Sequence, residues 1–206
     1  VNYLVEYPVA VTGSFSPEHL LLPPEVLITS MKVHQRYFPV MDLSGQTLLP
    51  YFIGISNHRL LENTRSGYEK VLQARLTDAR FFFEEDQKVP LEAHVDKLSK
   101  VIFQESLGSL DEKRRRLLKL VGFICSELAL PSSQRQTVER IAHLCKADLV
   151  TQMVKEFPEL QGVMGREYAR LSGEPEVVAR GIYEHYLPRY SGDELPQTLE
   201  GALVSL

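Results

Sequence analysis

Around residue 67 the apolar pattern changes period, so the chain has to be built differently on either side of that point. Upstream, short β-branched and aromatic runs alternate with turn residues. Tyr3–Thr12 reads as a strand, held to a sheet edge by Pro8 and ended by Gly13. Pro23 and Pro24 followed by Glu25 open a helix, because proline's fixed φ suits the first turn and an acid there meets the positive end of the dipole. Val26, Leu27, Ser30, Met31 and His34 recur at helical spacing and carry that helix to about Tyr37. Tyr37–Met41 and Leu48–Ser56 then read as a hairpin turning at Asp42, Leu43, Ser44 and Gly45, and residues 57–65 as a polar loop.

Downstream the period is almost wholly helical. Val71, Leu72, Arg75, Leu76, Ala79, Phe82 and Phe83 form one stripe. Pro90 opens a second helix with Val95, Leu98, Val101 and Ile102 inward. Asp111 caps a third, whose Leu117, Leu118, Val121 and Ile124 face a core. The fourth and longest starts at Ser132 or Ser133 and runs towards Phe157-Pro158, and two more cover Glu159–Leu171 and Glu176–Tyr186. The expected class is α+β: a mixed α/β module over 1–66, a connecting helix over 67–90 and a mainly helical domain over 91–206. The chain opens inside a strand pattern and closes in an uncapped apolar helical pattern, as an internal fragment would.

A net charge of −4 disfavours a grip on nucleic acid through bulk charge and leaves room for a local basic patch. Apolar runs such as Leu20–Leu22 are too short to span a bilayer, and no basic-then-apolar leader is visible. Cys125 and Cys145 sit in helical patterns and read as buried free thiols of a reducing compartment. The chain has no glycine-rich phosphate loop, nucleophile elbow or zinc-ligand spacing.

Three stretches carry the candidate cations, two of them beside aromatic or small residues. In His34-Gln35-Arg36-Tyr37-Phe38, Arg36 can neutralise a phosphate and Tyr37 offers a π-face, with His34 supplying polar edges. A helix end feeding a strand explains the same residues without any ligand. Lys113, Arg114, Arg115 and Arg116 with Lys119 make the densest basic run, either a phosphate-contacting ridge or a solvated face. Gly162 and Gly165 permit close approach of a helix or an RNA backbone, with Arg166, Tyr168 and Arg170 on the exposed side. His185 and Tyr190 fall in a proline-bounded loop.

Taken in order, Met31–Phe38, Arg75–Asp86, Val101–Gly108, Cys145–Val150 and Gln161–Ala169 resemble the beta subunit of bacterial two-subunit glycyl-tRNA synthetase over nearly the whole chain. The resemblance implies a part of an editing-region-like domain followed by a degenerate HD-type helical domain, truncated at its C-terminus. It implies no catalysis by this chain alone. The partners would be an alpha subunit and glycine tRNA, with no membrane and a cytoplasmic setting. ATP and magnesium would act on the alpha subunit, and no cofactor or metal is expected here. His34, Arg36, Tyr37, Lys113, Arg114, Arg115, Lys119, Arg166 and Tyr168 are the expected tRNA contacts.

The enzyme alternative is a metal-dependent HD-type phosphohydrolase. It needs a His-Asp pair where Ala147 precedes Asp148, and His143 lies about 140° round a helix from Asp148. Lys146 and Asp148 are expected in ion pairs instead. A purely structural scaffold is the remaining alternative.

Overall fold

Strand-forming and helix-forming runs segregate along the chain as their periods dictate. The computed structural model describes residues 5–57 and 61–206, so the Tyr3-Leu4 part of the expected first strand lies outside the described residues. The fold is α+β and divides into two units, Val1–Glu84 and Glu85–Leu206. Among the described residues no helix is long and apolar enough to cross a membrane.

In the first unit β1 (Val9–Ser14), β2 (Phe38–Met41) and β3 (Leu48–Ser56) form an antiparallel sheet of order β1-β3-β2. The turn after β2 is held by Asp42, whose Oδ1 accepts from the backbone of Gln46 at 3.0 Å and Thr47 at 3.1 Å. Alternation turns Val11, Gly13 and Phe52 inward, with Leu72, Leu76 and Ala79 of α2 (Leu61–Asp86) also buried in this unit. Helix α2 is the longest element and starts well before Gly67, inside the segment expected as a loop.

Gly13 does not break β1. It pairs with Phe52 in the ladder, and a Cβ there would fall 2.3 Å from Phe52 Cζ. Phe52 is fully buried and stacks on Tyr37 at 4.7 Å, so it has nowhere to move. Gly13→Ala is expected to destabilise the first unit by about 2 kcal/mol, the range for overpacking a filled core. A urea melt indistinguishable from the parent would refute that packing.

The helix α1 (Pro24–Thr29) does not continue as an α-helix to Tyr37. It widens into a π-helical turn over Ser30–Gln35 and ends at Arg36, which adopts a left-handed conformation (φ 58°, ψ 31°). The N–H groups of Arg36 and Tyr37 both donate to Met31 O, the latter at 2.8 Å. That closure swings the Tyr37 ring between Phe52 and Tyr68.

The second unit is helical. The segment after Pro90 is a 3-10 helix, Leu91–Lys100, and buries Val95 and Leu98. Val101 and Ile102 do not extend its apolar face. Ile102 opens the short hairpin of β4 (Ile102–Gln104) and β5 (Gly108–Ser109) and is largely exposed. Ser109, not Asp111, caps α3 (Leu110–Glu127). Its hydroxyl accepts from Glu112 N, while the Glu112 carboxylate accepts from Ser109 N at 2.6 Å. Of the stripe expected on α3, Val121 is fully buried and Leu117, Leu118 and Ile124 only partly.

The expected long fourth helix is three pieces: α4 (Ser132–Leu144), a 3-10 turn over Ala147–Val150 and α5 (Gln152–Glu156). The break follows from Thr151, whose hydroxyl caps α5 through Val154 N, and from Asp148, which is drawn inward. Then come α6 (Val163–Leu171), α7 (Glu176–Glu184) and α8 (Leu199–Ser205). His185 is the residue that caps α7, at the start of the turn after it, and is buried.

Candidate nucleic-acid interface

The basic run on α3 divides by direction. Arg114 points inward: its Nη2 lies 2.6 Å from Asp111 Oδ1 and its Nη1 lies 2.9 Å from His143 Nδ1. Arg115 is exposed and reaches Asp111 Oδ2 at 2.8 Å. Burial pushes the Asp111 carboxyl up, but Arg114 and Arg115 together hold it below its ordinary value. Burial, with Arg114 and Arg140 nearby, lowers His143. Lys113 sits 3.8 Å above the Phe103 ring, Arg116 donates to Leu107 O at 3.0 Å, and Lys119 is exposed. The exposed cations are thus Arg115, Arg116 and Lys119, with half-buried Lys113 set against the Phe103 ring of the hairpin.

In the first unit Arg36 is exposed and His34 half-buried, its Nδ1 3.2 Å from an Arg75 guanidinium nitrogen. Tyr37 is 7% exposed with both neighbouring rings packed on it, and burial raises its hydroxyl to about 12. The π-face expected from Tyr37 is therefore used inside the core.

Tyr168 is likewise not on an exposed side. It is 4% exposed and donates to Asp86 Oδ2 at 3.0 Å. The same carboxylate accepts from Gln152 N at 2.8 Å and Met153 N at 2.9 Å. Arg166 is half-buried, paired to Glu167 at 2.8 Å with its guanidinium over the Tyr183 ring. Arg170 is exposed and bridges Glu167 and Glu176. Gly162 and Gly165 serve internal packing: a Cβ would lie 2.5 Å from Tyr186 at the first and 2.7 Å from Ile182 at the second.

Asp148 is fully buried and accepts from Gly162 N at 2.6 Å, at the start of α6. Burial pushes its carboxyl up to about 6, against the opposing pull of the Gly162 N–H and Lys146. The Lys146 ammonium sits 4.0 Å above the Tyr186 ring, and burial lowers it. His143 faces Arg114 and Glu92, so it does not join Asp148. Among the described residues no three His, Cys, Asp or Glu side chains are grouped to hold a metal ion. Both cysteines are buried free thiols, and burial raises Cys145 to about 12.

Sequence reasoning missed Asp86 and the structural work of Asp148. Asp86 closes a run of three acids at the end of α2, which reads as a solvated helix end. It also missed Tyr51, which is exposed with Phe38 on one sheet face; the alternation of Tyr51, Ile53 and Ile55 against buried Phe52 was the available signal.

The family model for the glycyl-tRNA synthetase beta subunit matches residues 1–206. The chain is 52% identical over 208 residues to the glycine–tRNA ligase beta subunit of Halalkalibacterium halodurans. It is 56% identical over 205 residues to that of Halothermothrix orenii and 50% identical over 208 to that of Bacillus subtilis. Between 98% and 100% of the chain is covered in each case, and the chain spans about 30% of the length of these relatives. Matched from end to end, the chain belongs to the glycyl-tRNA synthetase beta subunit family.

Proposed function

We propose that the chain is an RNA-contacting and structural portion of a glycyl-tRNA synthetase beta subunit. It would support a reaction of ATP, glycine and tRNA carried out on an alpha subunit, where ATP and magnesium act, in the cytoplasm. The observation that carries this reading is the outward cationic ridge of α3 in a chain matched throughout by that family. Arg115 and Lys119, with Arg36 in the first unit, are the accessible contacts for glycine tRNA. Lys113, His34 and Arg166 are half-buried and stand second to them. Arg114, Tyr37 and Tyr168 act through packing. The helical unit is read as a degenerate HD-type domain, with Ala147 standing before Asp148 where that chemistry needs histidine.

Each cation that neutralises a phosphate releases counterions, so affinity should fall with salt by close to one logarithmic unit per contact. The test is tRNA binding by this chain at several salt concentrations. The parent is compared with a Lys113→Gln, Arg115→Gln, Lys119→Gln triple variant. The expected result is weak, salt-sensitive binding, with the slope reduced by roughly 2–3 in the variant. Absence of salt-sensitive binding would favour a pure scaffold, and an unaltered slope would remove α3 from the interface.

A further inference from the structure

We infer that the open face of the three-stranded sheet is a stacking platform for unpaired RNA nucleotides, formed by Phe38 and Tyr51 and edged by Lys32 and Arg36. It rests on the RNA reading above and assigns a second surface to it. One face of this sheet is packed and the other is open. On the open face β3 presents Tyr51, Ile53 and Ile55, β2 presents Phe38 opposite Ile53, and β1 presents Ala10, Thr12 and Ser14. Phe38 and Tyr51 are diagonal neighbours on adjacent strands, a placement that sets side chains roughly 7–8 Å apart. Two bases stacked on two such rings follow the logic by which sheet-borne aromatics hold single strands.

The exposed groups decide between occupants. Phe38 is 47% and Tyr51 48% exposed, whereas the aliphatic Ile53 and Ile55 on the same face are half-buried. What is offered is therefore aromatic surface rather than an aliphatic groove. The facing residues of β1 are small and leave the rings unwalled. Beside Phe38, a surface depression of about 220 Å³ is lined by Lys32, Arg36, Tyr37 and Phe38. That places two cations where the phosphates flanking a stacked base would lie. Arg36 is held at this rim because its N–H and that of Tyr37 both donate to Met31 O. The nearby acids are engaged locally: Glu69 accepts from Ser14 N and Asp42 from its own turn. A paired helix cannot lay its base faces on rings, so the platform selects unpaired nucleotides.

The chain contains no tryptophan, so Tyr51→Trp installs a single reporter on the platform. This variant is titrated with a short unpaired oligoadenylate and with a fully paired RNA duplex. Binding of tRNA by the same protein is measured in parallel. Expected are quenching of the tryptophan by the oligoadenylate but not by the duplex, and on the order of tenfold weaker binding when Phe38→Ala is added. Phe38→Tyr should restore the affinity. Both rings are half-exposed, so an unchanged far-UV spectrum accompanies these changes. If tRNA binds without quenching or without dependence on residue 38, the platform is refuted and the RNA reading stands. If the duplex quenches equally, the platform is refuted as a selector of unpaired bases. If neither tRNA nor oligoadenylate binds, both ideas fall, and an occupant of protein character becomes the explanation of the open face.

Discussion

Replacing Asp86 by alanine is expected to destabilise the helical unit by about 4 kcal/mol, because three donors, two of them buried, lose one acceptor. The carboxylate serves Gln152 N, Met153 N and the Tyr168 hydroxyl at 2.8, 2.9 and 3.0 Å, and Asp86 is itself 4% exposed. Two of those donors open α5, a helix too short to form unaided, so the loss should spread to its Met153 and Val154 packing. Tyr168→Phe removes one of the three bonds and leaves an acceptor with two partners, so about 1 kcal/mol is expected. A double-mutant cycle should then show non-additivity, since both changes act on one shared bond. Urea denaturation measures all three variants. A loss under 1 kcal/mol for Asp86→Ala would mean that α5 does not depend on this anchor. The same proteins separate structure from contact: Tyr168→Phe should leave tRNA affinity unchanged, and a weakened complex from a protein of unaltered stability would return Tyr168 to the RNA surface.

Much of the architecture was legible because it rests on local rules. The hairpin between β2 and β3 followed from Asp42 through Gly45, and the helix start at Pro24 from its proline and acid. The family itself was legible from the order of several short strings, none of which carries chemistry alone. What was not legible depends on contacts distant in sequence. Nothing near Tyr37 announces that Met31 O will bind two successive N–H groups and turn the ring inward. Nothing near Asp148 announces Gly162 fourteen residues later, so a residue that interrupts the helix reads as part of it. Gly13 looked like punctuation and is instead the space that Phe52 occupies. For the candidate interface, composition located the cations, but their directions come from partners: Asp111 and His143 draw Arg114 in, while Arg115 and Lys119 remain exposed.

Asp148→Asn should change how stability depends on pH, with a sign opposite to that of the buried carboxylates of Asp111 and Glu184. At Glu184 burial raises the carboxyl, but Thr198 and Arg180 outweigh it and hold the group below its ordinary value. Its stabilisation is present at neutral pH and lost as acid protonates it. Asp148 moves the other way, from 3.8 to about 6, because burial outweighs the Gly162 N–H and Lys146. The folded chain therefore binds this proton more tightly than the unfolded chain does. Stability drains away as pH rises from about 4 to about 6, and the loss is complete above that window. At about 1.4 kcal/mol per tenfold change in proton affinity, the difference is roughly 3 kcal/mol. Asparagine imitates the neutral carboxyl, keeps an acceptor for Gly162 N and does not ionise. The variant should match the parent near pH 4 and exceed it by roughly 3 kcal/mol near pH 7. Taking the difference between the two proteins cancels the titrating groups that are not coupled to Asp148, including Asp111 and Glu184. A difference that is flat with pH, or that favours the parent at neutral pH, would show that the charged carboxylate is the form this core was built to hold.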